Sequence, residues 1–141
     1  MTEGVSGGLK LVLESIGNFK GQNIVVPYPS FALYPVYSSL YQFNFNPVTS
    51  DPVSSYSVDD ILKKVNKKTA AVFLPNPNVP IENLIPSKEI ERLASILEKK
   101  GILLAIDEVY HLFTRESSIK LYKKYSNLLI LRSFSKAFGL A

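Results

Sequence analysis

Four short runs of the chain are apolar without alternation: "QNIVVPYP", "TAAVFLP", "ILLAIDEVY" and "NLLILRSFS". A strand with one wet face alternates polar and apolar residues. A strand covered on both faces does not, because both sets of side chains meet a core. Between these runs lie segments with helical spacing. Leu9, Val12, Leu13 and Ile16 form one apolar stripe, and Ile90, Leu93, Ala94 and Leu97 form another. Strands alternating with helices, most of them apolar throughout, predict an α/β fold. Its architecture is three-layer α-β-α with a mainly parallel sheet.

Local signals refine the outline. Ser6 is the expected N-cap of the first helix and Gly17 its stop. "SFALYPVYSSL" reads as a helix broken at Pro35, and "YQFNFN" as a strand. "FNPVTSDPVSSYS" reads as a loop, as does "NPNVPIENLIP". Ser57 with Asp60 makes a capping box ahead of the helix "SVDDILKKV". Gly101 closes the helix that follows Ser87, and "ESSIKLYKKY" is a short helix.

The 141 residues suffice for one domain, and 46% of them are hydrophobic. Net charge is +4. The densest basic runs, "KKVNKK" and "KLYKKY", are short and separate. They suit solvated faces and helix C-termini, so no nucleic-acid partner is expected. The chain has no cysteine, which excludes disulfides and thiolate chemistry. No signal peptide is visible, and no apolar run approaches the ~18 residues of a membrane span. The expected setting is cytoplasmic, away from membranes.

In a parallel sheet the chemistry gathers at the carboxyl ends of the strands. Those ends carry Tyr28 and Phe31, then Asn76 and Asn78, then Asp107, Glu108 and Tyr110, then Ser133, Ser135 and Lys136. Ser6 and Gly7, before the first helix, would join them if a strand precedes Met1, and backbone amides at a helix start suit a phosphate. Asp107 follows an apolar run and should be buried, which requires a cationic or strong donor partner. Glu108 points the other way and reads as a structural ion pair. His111 reads as a surface or packing residue, not a metal ligand. Lys136, with Ser133 and Ser135 hydroxyls around its amine, is suited to forming a Schiff base.

In order and spacing, "PYPSFALY", "FLPNPNVP", "IDEVYHLF" and "LRSFSKAFGLA" resemble the pyridoxal-phosphate enzymes of fold type I, class I/II aminotransferases. Within them the resemblance is to the histidinol-phosphate type. It implies that Lys136 holds pyridoxal 5'-phosphate as a Schiff base and moves the substrate proton. Asp107 would pair with the pyridinium nitrogen, and Tyr110 would bind the phenolic oxygen. Phe31 would stack on the ring. Val5 through its backbone, with Ser6, Ser133 and Ser135, would hold the phosphate. The implied reaction transfers an amino group between an amino acid, or histidinol phosphate, and a 2-oxo acid. The implied assembly is a homodimer.

Three departures qualify the match. The family pattern N-P-x-N-P-T-G is here Asn76-Pro77-Asn78-Val79-Pro80-Ile81-Glu82. Val79 therefore replaces an amide that donates to the phenolic oxygen, and Asn78 is the substitute donor. Ser6 stands where the histidinol-phosphate type often has an acidic residue. The chain also resembles only part of a large, cofactor-binding domain. The N-terminal arm, the small domain and a phosphate-binding arginine beyond Ala141 are expected to be missing. Two other outcomes stay open: a non-catalytic aminotransferase-like fragment, and a fold type I lyase, decarboxylase or racemase.

Overall fold

The computed structural model describes residues 1–17, 21–49, 55–114 and 116–140. In chain order its elements are α1 (Gly4–Ser15), β1 (Asn23–Tyr28), α2 (Leu33–Leu40), β2 (Asn44–Thr49) and α3 (Val58–Lys64). They continue with β3 (Thr69–Pro75), α4 (Ser87–Lys99), β4 (Leu103–Asp107) and β5 (Leu128–Leu131). The strands form one sheet in the order β2-β1-β3-β4-β5, with every adjacent pair parallel.

Side-chain parity divides the core. Ile24, Val26, Ala71, Phe73 and Ala105 pack with Leu9, Val12 and Leu13 of α1 and Tyr34 of α2. Val25, Val72, Leu74, Leu104 and Ile106 pack with Ile61 of α3 and Ile90, Leu93, Ala94 and Leu97 of α4. Each strand thus feeds both layers, which is why the runs show no alternation. Full burial of each large aliphatic side chain contributes about 1.5–3 kcal/mol. The same parity puts Asp107 on the α1/α2 face and turns Glu108 to the other.

Several local expectations change. The N-cap of α1 is Glu3, which makes no side-chain cap bond, and Ser6 lies inside the first turn. Pro35 does not break α2, because it occupies the first turn, where its missing N–H has no helical acceptor to lose. The second strand starts at Asn44 and runs through Pro47 to Thr49, beyond the alternating stretch. Proline is tolerated there because β2 is an edge strand. Of "ESSIKLYKKY", only Ile119–Leu121 is helical, as a single 3₁₀ turn. The loop after β2 falls partly outside the described residues. Among the described residues, no helix is long and apolar enough to cross a membrane. The capping box holds: Asp60 N–H donates to Ser57 Oγ (3.2 Å), and Ser57 N–H to Asp60 Oδ2 (3.1 Å).

Candidate functional site

The chain leaves β1 toward β2 on one side, then returns past β1 to β3 on the other. The loops after β1 and β3 therefore diverge and leave a crevice at their carboxyl ends. A cavity of about 680 Å³ opens there. It is lined from α1, from the loops after β1 and β3, from the end of β4 and from the turn after β5.

Asp107 forms its floor and is 4% exposed. Oδ2 accepts the Tyr34 O–H at 3.1 Å, and Oδ1 accepts the Val109 N–H at 3.0 Å. Both donors are neutral. Among the described residues no cation pairs with this carboxylate. The strong donor expected for it is thus a phenol that the sequence reading did not single out. Burial pushes the Asp107 carboxyl up from 3.8 to about 6, against the two hydrogen bonds that lower it. The site holds a carboxylate that a cationic ligand would stabilise.

The opposite electrostatics occur at the start of α1. Gly4 N–H bonds Thr2 O and Gly7 N–H bonds Glu3 O, while Val5 and Ser6 amides belong to the first turn and lack a helical acceptor. Gly4 has φ +61°, which favours glycine. A Cβ there would lie 3.6 Å from Ser133 Oγ and 3.7 Å from Ser135 Oγ. The two hydroxyls are 2.6 Å apart, and Ser135 N–H donates to Ser133 Oγ at 3.0 Å. Free amides beside paired hydroxyls suit a phosphate.

Lys136 is exposed on the turn after β5 and lines the cavity. Its amine is not enclosed by the serine hydroxyls, which bond each other. It lies over the Tyr110 ring instead, with Nζ 5.7 Å from the centroid, within cation–π reach. Phe31 also lines the cavity, its ring edge-on to Tyr34 at 6.3 Å. Tyr28 is absent from the lining and packs edge-on against Phe45. His111 Nδ1 lies 2.8 Å from the Glu108 carbonyl, the packing role expected of it. Among the described residues no cluster of three acidic, histidine or cysteine side chains could hold a metal.

The loop after β3 is stitched by Asn76, whose side chain accepts from Ile85 N–H (2.8 Å) and donates to Ile85 O (3.0 Å). Asn78 is fully buried beside the cavity. Its Nδ2 donates to Pro29 O at 3.1 Å, while Oδ1 has no partner. Pro29 thus fixes the amide with its acceptor end free. Val79 lines the cavity next to it and supplies no polar atom.

A second network fixes the lysine turn from behind. Glu108 is 1% exposed. Its Oε2 accepts from Arg132 Nη2 (2.8 Å), Arg132 Nε (3.0 Å) and Ser117 Oγ (3.1 Å), and Oε1 accepts from Ser118 N–H (2.5 Å). Glu108 N–H also donates to Leu131 O at 2.8 Å. The exit of β4 is thereby clamped to the exit of β5, one residue before Ser133. Arg132→Met leaves the buried carboxylate with its two neutral donors only. We expect a loss of about 3 kcal/mol, the low end for breaking a buried pair, measured by urea denaturation. An unchanged midpoint would show that Ser117 and Ser118 suffice.

Comparison with known proteins matches residues 1–141 to the family model described as aminotransferase class I and II. The histidinol-phosphate aminotransferase of Thermoanaerobacter pseudethanolicus is 37% identical over 123 residues, 86% of this chain and 34% of that protein. The alanine aminotransferase from Pyrococcus furiosus superposes with a TM-score of 0.81 at 28% identity, over 96% of this chain and 35% of that one. The histidinol-phosphate aminotransferase from Clostridium acetobutylicum gives 0.79 at 26% identity, over 94% and 39%. The chain spans about a third of the length of these relatives.

Proposed function

From the premise that the chain belongs to the class I and II aminotransferase family, we propose that its cavity binds pyridoxal phosphate for amino-group transfer between an amino acid and a 2-oxo acid. One observation carries this: a buried carboxylate that has only neutral donors among the described residues shares a cavity with an amine and an anion-suited helix start. Those three features match a ring cation, an aldehyde and a phosphate. When bound, the cofactor supplies an aldehyde for an amine and a protonated ring that withdraws electrons from the substrate carbon.

The chain's own residues then take distinct parts. Asp107 binds the ring N–H and keeps its proton in place. Lys136 would hold the aldehyde and, as a free amine, would accept the proton from the substrate Cα. Tyr110 positions that amine with its ring and offers its hydroxyl to the phenolic oxygen. Phe31 packs against the ring. The Val5 amide with the Ser6, Ser133 and Ser135 hydroxyls holds the phosphate. Asn78 borders the site with an acceptor oxygen. This reading takes residues 1–141 as part of a large, cofactor-binding domain that works as a homodimer. Histidinol phosphate is the favoured amino donor, supported by similarity to the Thermoanaerobacter enzyme.

The test is to add pyridoxal phosphate, reduce with borohydride and map the modified peptide. The adduct should fall on Lys136. No adduct, or one spread over surface lysines, overturns the cofactor assignment. Val79 favours a second reading, a chain that binds the cofactor without turning over, because the valine side chain supplies no donor in place of the missing amide. Measured turnover with any amino donor excludes it.

A further inference from the structure

We infer that Tyr34 is a positioning residue that ties two walls of the cavity together and holds the Asp107 carboxylate ionised and aimed for a ring cation. The part concerning the cation rests on the cofactor reading above. The pairing itself stands on geometry.

Tyr34 does not line the cavity, and it is 2% exposed. Its ring lies between Phe31 (centroids 6.3 Å) and Phe73 (5.9 Å). Its O–H donates to Asp107 Oδ2 at 3.1 Å, across the layer from α2 to β4. Its N–H donates to Phe31 O at 3.2 Å, and its carbonyl accepts the fully buried Ser38 Oγ at 2.6 Å. One side chain therefore fixes both the aromatic wall and the acidic floor of the site. Buried tyrosine needs a partner for its hydroxyl. Here that partner is the Asp107 carboxylate in the cavity floor, and among the described residues no cation pairs with it.

The direction of the proton is fixed. Burial, then the Asp107 charge, holds the Tyr34 phenol well above its ordinary value, so it stays a donor. Its hydrogen bond favours the charged form of Asp107. Among the described residues, the other titratable groups bearing on the pair are Glu108, next along β4, and Tyr56, which acts on Tyr34 through charge, with Glu3, Tyr110 and Lys136 lining the same cavity. Without the phenol oxygen, the Asp107 carboxyl would keep one donor and titrate higher.

The experiment is Tyr34→Phe, read by carbon-13 NMR of the Asp107 carboxyl in cofactor-free protein. The midpoint should rise by about one pH unit, the worth of one hydrogen bond to a charged group. Pyridoxal phosphate affinity at pH 7 should fall about twofold, because a midpoint moved from about 6 to about 7 lowers the ionised fraction of Asp107 from about nine-tenths to about half. A merely structural role would lower the melting temperature and leave the Asp107 midpoint where it was, and that result overturns the inference. The wild type supplies a second measurement should the variant fold poorly. The Tyr34 Cζ resonance must move with the Asp107 midpoint, and a flat Cζ also overturns it. Neither NMR arm uses the cofactor. Failure of the wild type to bind pyridoxal phosphate would sink the proposed function and leave the Tyr34–Asp107 pairing decided on its own.

Discussion

Lys136→Ala should abolish the borohydride-trapped adduct and lower amino-group transfer by at least about 10³-fold. Under the proposed function two roles would be lost at once: the amine that would hold the aldehyde and the base that would move the substrate proton. Positioned proton transfer alone contributes about 10²–10⁴-fold. Among the described residues, Lys136 is the one lysine in the cavity lining. Lys67 and Lys68 precede β3, Lys99 and Lys100 precede β4, and Lys123 and Lys124 precede β5. These sit at the amino edge of the parallel sheet, away from the site. The variant should fold normally, because Lys136 is exposed and its amine lies over the Tyr110 ring. That contact is worth about 0.5–1 kcal/mol at an exposed position. Lys124→Ala, which removes a surface pair with Glu91, is the control and should trap normally. Activity that survives in Lys136→Ala would place the chemistry elsewhere.

The fold was legible because burial on both faces writes itself into single strands. Between Thr69 and Pro75, and between Ile102 and Asp107, "TAAVFLP" and "ILLAID" have no polar position to mark a wet side, and they became the adjacent strands β3 and β4. Glu108 was legible for a related reason: parity turned it away from Asp107, and its ion pair with Arg132 followed. The edges were less legible. β2 has one neighbour, so its sequence answers to fewer contacts, and its true start at Asn44 was hidden behind an alternating stretch. Pro35 misled because proline's effect depends on helix position, which composition does not report. The site's ends were visible as motifs, but its internal bonds were not. Ser133 and Ser135 bond each other instead of enclosing the amine. Tyr34 carried one faint sign, its i, i+3 spacing from Phe31 at a helix start. Nothing local in the sequence joins it to a carboxylate in another strand.

Asp107→Asn should push stability and binding in opposite directions. In the folded, cofactor-free protein the Asp107 carboxyl lies at about 6 against 3.8 for the ordinary group. Between those values the folded state holds more protons than the unfolded state. Its stability therefore falls as pH rises through that window. The loss is roughly 3 kcal/mol once pH exceeds 6, at 1.36 kcal/mol per pH unit. Asparagine removes the charge and with it this dependence. It keeps an oxygen for the Val109 N–H but cannot accept from Tyr34 with an NH₂, so part of the relief is offset. Urea denaturation at a series of pH values should show the wild type losing ground to the variant as pH rises from about 4 to about 6, and a constant gap above that. Adding pyridoxal phosphate should reverse the order. A cation against the carboxylate recovers the burial cost in the wild type, whereas the amide carries no charge to offer. Affinity of the variant should fall about 10²-fold or more, as for a buried pair that loses one partner. A gap between the two proteins that does not change with pH would mean that Asp107 ionises freely without cofactor. Equal affinity would mean that the ring nitrogen is held by another group. A residue kept only for packing would not be destabilising when empty and stabilising when filled. The crossing of the two curves therefore separates a cofactor ligand from a structural carboxylate.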